Sequence, residues 1–298
     1  MELRVLEYFL AVAREQSITR AAEFLHITQP TLSRQLTELE QELGQQLLVR
    51  GKRKVTLTEA GAFFRKRADE IVSLAERTRS EMKYAGDTIA GDIYIGTGES
   101  GSIRNILRVA HQLQEDHPDL HFHLTSGDSD DLVDRLDKGL FDFCILYGDI
   151  DQSKYEYLTL PYRETWGVLL RREDPLASKP RITPRDLWDK PLILSRHSLS
   201  FSGFFKWLGK KPEELNITAT YNLVYNSTLM AEEGMGYVLT LENLVNTQGT
   251  PLCFRRIEPV AEVQLSLVWK KYQTQSRAAS AFISALEEAI GPQAYATK

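Results

Sequence analysis

The sequence predicts a chain in two unlike parts: an all-α head with a small hairpin and a long trailing helix, then a larger α/β body. Three observations lead there. Apolar residues recur at helical spacing over residues 3–43, a stretch without Gly or Pro from Ala62 to Ala85 carries a seven-residue repeat, and strand-like and helix-like segments alternate from Gly91 onward. At 298 residues the chain is too long for one ordinary core, and 42% hydrophobic with 26% charged residues is a globular composition.

In the head, Leu3, Leu6, Phe9, Leu10 and Ala13 give one apolar face to a helix over residues 2–15. Ser17 caps a second helix, Ile18 to Leu25, where Ala21 and Ala22 admit a close neighbour. Thr28 caps a third, with Pro30 in its first turn, where a missing N–H costs nothing. Leu32, Leu36, Leu39 and Leu43 form its apolar stripe, and Gly44 ends it. Two short β-prone runs, Leu47–Val49 and Val55–Leu57, then flank a Gly-containing basic turn, which predicts a two-stranded wing.

Short helix, tight turn, longer helix and basic hairpin together predict a winged helix-turn-helix. Its third helix starts with polar side chains suited to major-groove base edges, and its wing carries charge suited to phosphates. The candidate DNA-binding residues are Thr28, Gln29, Pro30, Thr31, Ser33, Arg34 and Thr37 on the helix, with Arg50, Lys52, Arg53 and Lys54 on the wing. A solvated polar face or charge run is the ordinary explanation of either alone; their order in the chain favours DNA. The net charge of −5 does not oppose this, because phosphate contacts depend on local patches. Residues 1–58 carry a net +1 and residues 90–298 a net −6.

Residues Ser17 to Gly61 hold S-I-T-R-A-A-E-F-L, then T-Q-P-T-L-S-R-Q-L-T-E-L-E-Q-E-L-G, then L-L-V-R-G-K-R-K-V-T-L-T-E-A-G. This ungapped run resembles the DNA-binding head of the LysR-type transcription regulators. Two departures stand out: Leu48, where the family commonly has Phe, and Gly51-Lys52 in place of a small residue followed by Gly.

Thr58 is placed to cap a long helix from Glu59. Phe64, Ala68, Ile71, Ala75, Thr78 and Met82 form a heptad seam on it, for which the first 57 residues supply no partner, so the seam is expected to pair with a second chain. The resemblance implies the same: a homodimer or homotetramer setting two heads on a palindromic site. Phe64, Ala68, Ile71, Ala75 and Met82 are the dimerisation candidates, and Gly86 and Gly91 bracket a hinge.

The body reads as strands 92–97, 120–126 and 141–147 alternating with helices 100–116 and 129–138, the pattern of a parallel sheet. Strands 165–171, 191–195, 217–221, 237–241 and 264–270 follow, with helices 202–208 and 278–290 and a helix capped by Asn226 or Ser227 that runs to Glu233. This order resembles the effector domain of the same family, a two-lobed fold of the periplasmic-binding-protein type, with the inducer in the cleft between lobes. The expected division is 1–58 for DNA binding, 59–89 for the linker and 90–298 for the effector, with lobe I at 90–161 and 265–298 and lobe II at 162–264. Carried over, the resemblance makes Ser100, Ser102, Ser126, Asp128, Arg196, His197, Ser198 and Thr228 the effector candidates. The small organic acid expected there would meet helix starts and Arg196, although Asp128 suits a hydroxyl or amine instead.

Other functions find less in the sequence. Ser195, His197 and Asp128 form no recognisable nucleophile elbow, and there is no phosphate loop, dinucleotide fingerprint or metal spacing, so no enzyme, cofactor or metal site is expected. No membrane span or signal peptide is read, which argues against a transported-solute binder and for the cytoplasm. Cys144 and Cys253, the only cysteines, offer a redox-sensing alternative, although both read as buried inert thiols.

Overall fold

The structure is a computed structural model that describes residues 1–51, 54–84, 88–148, 150–200 and 202–291, the side chains of His197, Ser200 and Ser202 excepted. Lys52, Arg53, Gly86 and the His197 side chain, all named above, therefore lie outside the described residues. Met1–Lys83 and Tyr84–Lys298 are separate units.

The first unit contains α1 (Leu3–Glu15), α2 (Ile18–Phe24), α3 (Gln29–Leu43), β1 (Leu48–Arg50), β2 (Val55–Leu57) and α4 (Glu59–Lys83). Its boundaries are set by local chemistry. Ser17 Oγ accepts the Arg20 N–H at 3.3 Å, Thr28 Oγ1 accepts that of Thr31, and Gly44 closes α3 at φ 63°. Leu6, Phe9, Val12, Leu32, Leu36, Leu47 and Leu48 are buried together, whereas Leu43, expected in the stripe, is partly exposed. Leu48 fills its core place at 1% exposure, so a smaller residue than Phe leaves this element intact. Glu40 ties α3 to the wing, its Oε1 accepting the N–H groups of Leu47 at 2.7 Å and Leu48 at 2.9 Å.

Helix α4 corrects the seam. Phe64 stacks edge-on against Phe9 with ring centroids 5.1 Å apart, and Ala68 and Val72 are buried in the head's own core. The first 57 residues thus do supply a partner, α1. The exposed apolar residues of α4 are Phe63, Ile71, Leu74 and Met82, which at 100° per residue span about 100° of its circumference.

The second unit continues with β3 (Gly91–Thr97), α5 (Ile103–Asp116), β4 (Leu120–Ser126), α6 (Ser129–Asp137), β5 (Phe143–Tyr147) and β6 (Tyr155–Arg171). It goes on with β7 (Arg181–Ile182), β8 (Leu192–Ser195), α7 (Arg196–Ser200), α8 (Ser202–Leu208), β9 (Ile217–Tyr221) and α9 (Val224–Glu232). It ends with β10 (Tyr237–Leu241), β11 (Leu252–Ile257), β12 (Glu262–Lys270) and α10 (Arg277–Ile290). The strand order is β4-β3-β5-β12-β6-β10-β8-β9, with β11 and β7 following on from β6. Strands β3, β4 and β5 run parallel, as their alternation with helices predicts, and so do β8, β9 and β10; β12 and β6 are antiparallel to their neighbours.

Strand β6 belongs to both lobes: residues 155–165 pair with β12 and residues 166–171 with β10 and β11. Its first half, residues 155–164, lies outside the strands expected from the sequence, which place only a lobe boundary near Pro161. Pro161 sits at a bulge, where residues 160–162 have no register partner and the missing N–H forfeits no ladder bond. The Gln264 side-chain amide fills the gap by donating to the carbonyls of Leu160 and Tyr162. Of its buried clusters, one gathers Ile93, Phe143, Leu267 and Phe282 and another Val168, Ile182, Leu192 and Leu239. Among the described residues no helix is long and apolar enough to cross a membrane.

Candidate nucleic-acid interface and ligand cleft

In the first unit, Gln29, Pro30, Ser33, Arg34, Thr37, Glu38 and Gln41 line a shallow open trough along α3, on the side away from its buried leucines. Arg50, the last residue of β1, lies over this face: its guanidinium donates to Ser33 Oγ at 2.8 Å and Thr37 Oγ1 at 3.0 Å. Arg34 is exposed and only 3.8 Å from Glu38, a loose i,i+4 pair that a phosphate or base edge would displace at little cost. Thr28, Gln29, Pro30, Thr31 and Lys54 are exposed, although the Thr28 hydroxyl is engaged by the N–H of Thr31 and by its hydroxyl at 2.8 Å. Hence Gln29, Pro30, Ser33, Arg34 and Thr37 share one surface of donors, acceptors and positive charge with Arg50, and Thr28 and Thr31 bond to each other at the start of the helix, outside the trough lining. Glu38 was not anticipated there.

In the second unit a cleft with about 700 Å³ of open space is lined by Glu99, Asp128, Tyr147, Trp166, Ser195, Tyr221, Asn222, Thr240 and Leu244, among others. Its elements are the ends of β3 and β5 and the start of α6 on one side, and β8, β9 and β10 on the other. Two contacts bridge it. Glu99 Oε2 accepts the Val224 N–H at 2.5 Å, and Arg196 donates to Asp128 at 3.3 Å. Glu164, 5% exposed, accepts from Ser100 Oγ at 2.5 Å and the Ser102 N–H at 2.8 Å.

Most of the effector candidates lie outside the lining of this cleft. Of the seven with described side chains, only Asp128 lines the cleft. Ser100 and Ser102 are committed to Glu164, and Ser198 is buried with its hydroxyl 2.5 Å from that of Ser195. Thr228 donates to the Tyr225 carbonyl within its own helix, Ser126 is exposed at the end of β4, and Arg196 is held at the rim by Asp128. Asn226 and Ser227 do not cap α9. The helix begins at Val224, and the group that meets its first N–H is the Glu99 carboxylate, from a loop no local pattern links to it. The starts of α5 and α9 are thus each met by a carboxylate of the protein itself, and the start of α6 is flanked by Asp128, whose side chain makes no capping bond.

The thiols give the redox alternative no footing. Cys144 is fully buried, its Sγ donates to the Leu132 carbonyl at 3.5 Å, and burial pushes the thiol up to about 12; Cys253 is buried as well. A reactive thiol needs the opposite environment. Because burial raises the Cys144 thiol far above pH 8, native protein incubated with iodoacetamide at that pH is expected to leave Cys144 unmodified by mass spectrometry, and denatured protein to react fully.

Comparison with known proteins agrees with this division. A model of the bacterial regulatory helix-turn-helix protein, lysR family, matches residues 3–62, and a model of the LysR substrate binding domain matches residues 86–291. The chain is 30% identical to the Hca operon transcriptional activator HcaR of Escherichia coli strain K12, covering 97% of this chain and 98% of that protein. It is 29% identical to the HTH-type transcriptional regulator YnfL of the same strain, over 95% and 96%. Among solved structures, full-length CbnR in complex with its target DNA superposes with a TM-score of 0.75 at 22% identity, over 97% of this chain and 100% of that one, a likeness of fold.

Proposed function

The chain belongs to the LysR family of bacterial transcription regulators, and on that footing we propose that it binds promoter DNA as a homodimer or homotetramer through α3 and the wing, under control of a small molecule held in the cleft. The observation that carries the reading is the α3 face, where Gln29, Ser33, Arg34 and Thr37 stand in one trough with Arg50 laid across it. A helix presented this way enters a major groove with its N-terminal turns on the base edges. We read residues 1–58 as the DNA-binding part, 59–89 as the linker and 90–298 as the sensor. Such a chain works on the chromosome in the cytoplasm and catalyses no reaction. Mobility-shift and footprinting assays on the DNA upstream of its own gene test the reading; a protected palindromic site is expected, and uniform binding to unrelated DNA at the same salt would refute it.

Dimerisation is assigned to the exposed stripe of α4, with Ile71, Met82 and the half-buried Ala75 beside them kept from the seam and Phe63 and Leu74 added, while Phe64 and Ala68 serve the head. A protein carrying Ile71→Glu and Leu74→Glu is expected to run as a monomer in light-scattering chromatography, with an unaltered circular dichroism spectrum. An unchanged dimer mass would remove the stripe from the interface.

A further inference from the structure

We propose that the cleft of the second unit is built for a small molecule carrying a protonated amine, held between the carboxylates of Glu99 and Asp128 and the rings of Tyr147, Trp166 and Tyr221. This rests on the reading of that cleft as the effector site and names the chemical class of its ligand.

Charge is the first observation. Among the described residues lining the cleft there are two carboxylates, Glu99 and Asp128, and no Lys, Arg or His. Arg196 at the rim offsets Asp128, but among the described residues neither Glu99 nor the buried Glu164 has a cation within 4.0 Å. A carboxylate withdrawn from water without a positive partner is costly, and an incoming ammonium group supplies that partner. Burial first, then the charges of Glu164 and Glu99, holds the Tyr147 hydroxyl protonated far above the usual tyrosine range, so it stays neutral beside the carboxylates.

The second observation is what an anion would find. The start of α5 is taken by Glu164 through the Ser100 hydroxyl and the Ser102 N–H, and that of α9 by Glu99 through the Val224 N–H. The start of α6, which also lines the cleft, carries Asp128 with Asp130 and Asp131 in its first turn, so an effector carboxylate would either displace a carboxylate or bear the repulsion of several. The third is a buried hydroxyl oxygen with no donor among the described residues. Thr240 lines the cleft at 2% exposure with its hydroxyl turned toward that of Tyr221, which gives its own proton to the Leu239 carbonyl at 2.8 Å, so none of the described residues donates to Thr240 Oγ1. An ammonium N–H gives Thr240 Oγ1 a donor, and aromatic rings are the usual companions of a desolvated ammonium.

The test uses the full-length protein and three compounds of one shape: benzylamine, benzyl alcohol and benzoate. Calorimetry and thermal shift are expected to show benzylamine binding at least about tenfold more tightly than the other two. Glu99→Gln, and separately Asp128→Asn, should erase that preference. Asn222→Trp, at an exposed position of the lining, should abolish binding of all three. Benzoate preferred over benzylamine, with Asn222→Trp abolishing it, overturns the cationic assignment and leaves the effector cleft standing. Binding that survives Asn222→Trp overturns the cleft reading with it. Equal affinity for the three compounds, or none measurable, overturns the assignment as well.

Discussion

Replacing Arg34 by alanine is expected to weaken binding to the protein's own operator by about 1–3 kcal/mol, or 5- to 150-fold, and to relax discrimination at one base position. The expectation follows from where Arg34 stands. It lies on the exposed face of α3, flanked in the trough by Pro30, Thr37 and Glu38, and its ion-pair partner among the described residues, Glu38, is 3.8 Å away on an exposed pair worth little. Its head is therefore available to a base edge, and truncation leaves the head's stability unchanged. Arg50 makes a useful contrast. Its guanidinium is already spent on Ser33 and Thr37, so it braces the wing against α3 and presents charge to the backbone. Arg50→Ala should lower affinity for all sequences alike and reduce the slope of log affinity against log salt by about 1. Fluorescence anisotropy from 50 to 200 mM salt, with operator and scrambled duplexes, separates the two. Wild-type affinity of Arg34→Ala for the operator throughout that range would remove α3 from the recognition role.

The head was legible in the sequence because its determinants are local. Ser17, Thr28 and Gly44 cap or close helices through neighbours three or four residues away, and the leucine stripe of α3 fixes its buried face. What failed in α4 was a question of partner. A heptad pattern states that Phe64 and Ala68 need apolar company, and α1 provides it as well as a second chain would. In the body, strands β4, β9 and β10 match the expected ranges, since alternation and turn residues bound them. The cleft escaped for a different reason. Hydroxyl residues near helix starts look like ligand contacts, yet Ser100, Ser198 and Thr228 bond within the protein. Trp166 and Tyr221 look like any strand aromatics, and Glu99 meets α9 across 125 positions of sequence. No periodicity reports such a contact.

Gly61→Ala is expected to cost the head roughly 3 kcal/mol, although alanine is the better helix former by about 1 kcal/mol. The reason is a close approach at the first turn of α4. A Cβ at position 61 would collide with the carbonyl oxygen of Leu47, which is backbone and cannot swing aside. Nor can the helix back away easily. The Thr58 N–H donates to that same carbonyl at 3.0 Å, the Thr58 hydroxyl to the Gln46 carbonyl at 2.6 Å, and Thr58 Oγ1 accepts the Gly61 N–H at 2.9 Å. Separating α4 from this segment gives up those bonds and lifts Phe64 and Ala68 from the core, so the propensity gain is outweighed. For a unit of this size 1 kcal/mol moves the melting point by about 4–8 °C, which places the head's transition well over 10 °C lower, with the second unit's transition unmoved. DNA affinity should fall with it, since Leu47 leads directly into β1 and hence to Arg50 on the α3 face. Gly44→Ala is the control: φ is positive there but a Cβ meets open space, so only the local cost of about 1 kcal/mol is expected. Scanning calorimetry of the two proteins decides the matter. An unshifted head transition in Gly61→Ala would show that α4 slides along the wing, and that the glycine of this L-T-E-A-G segment serves no packing purpose.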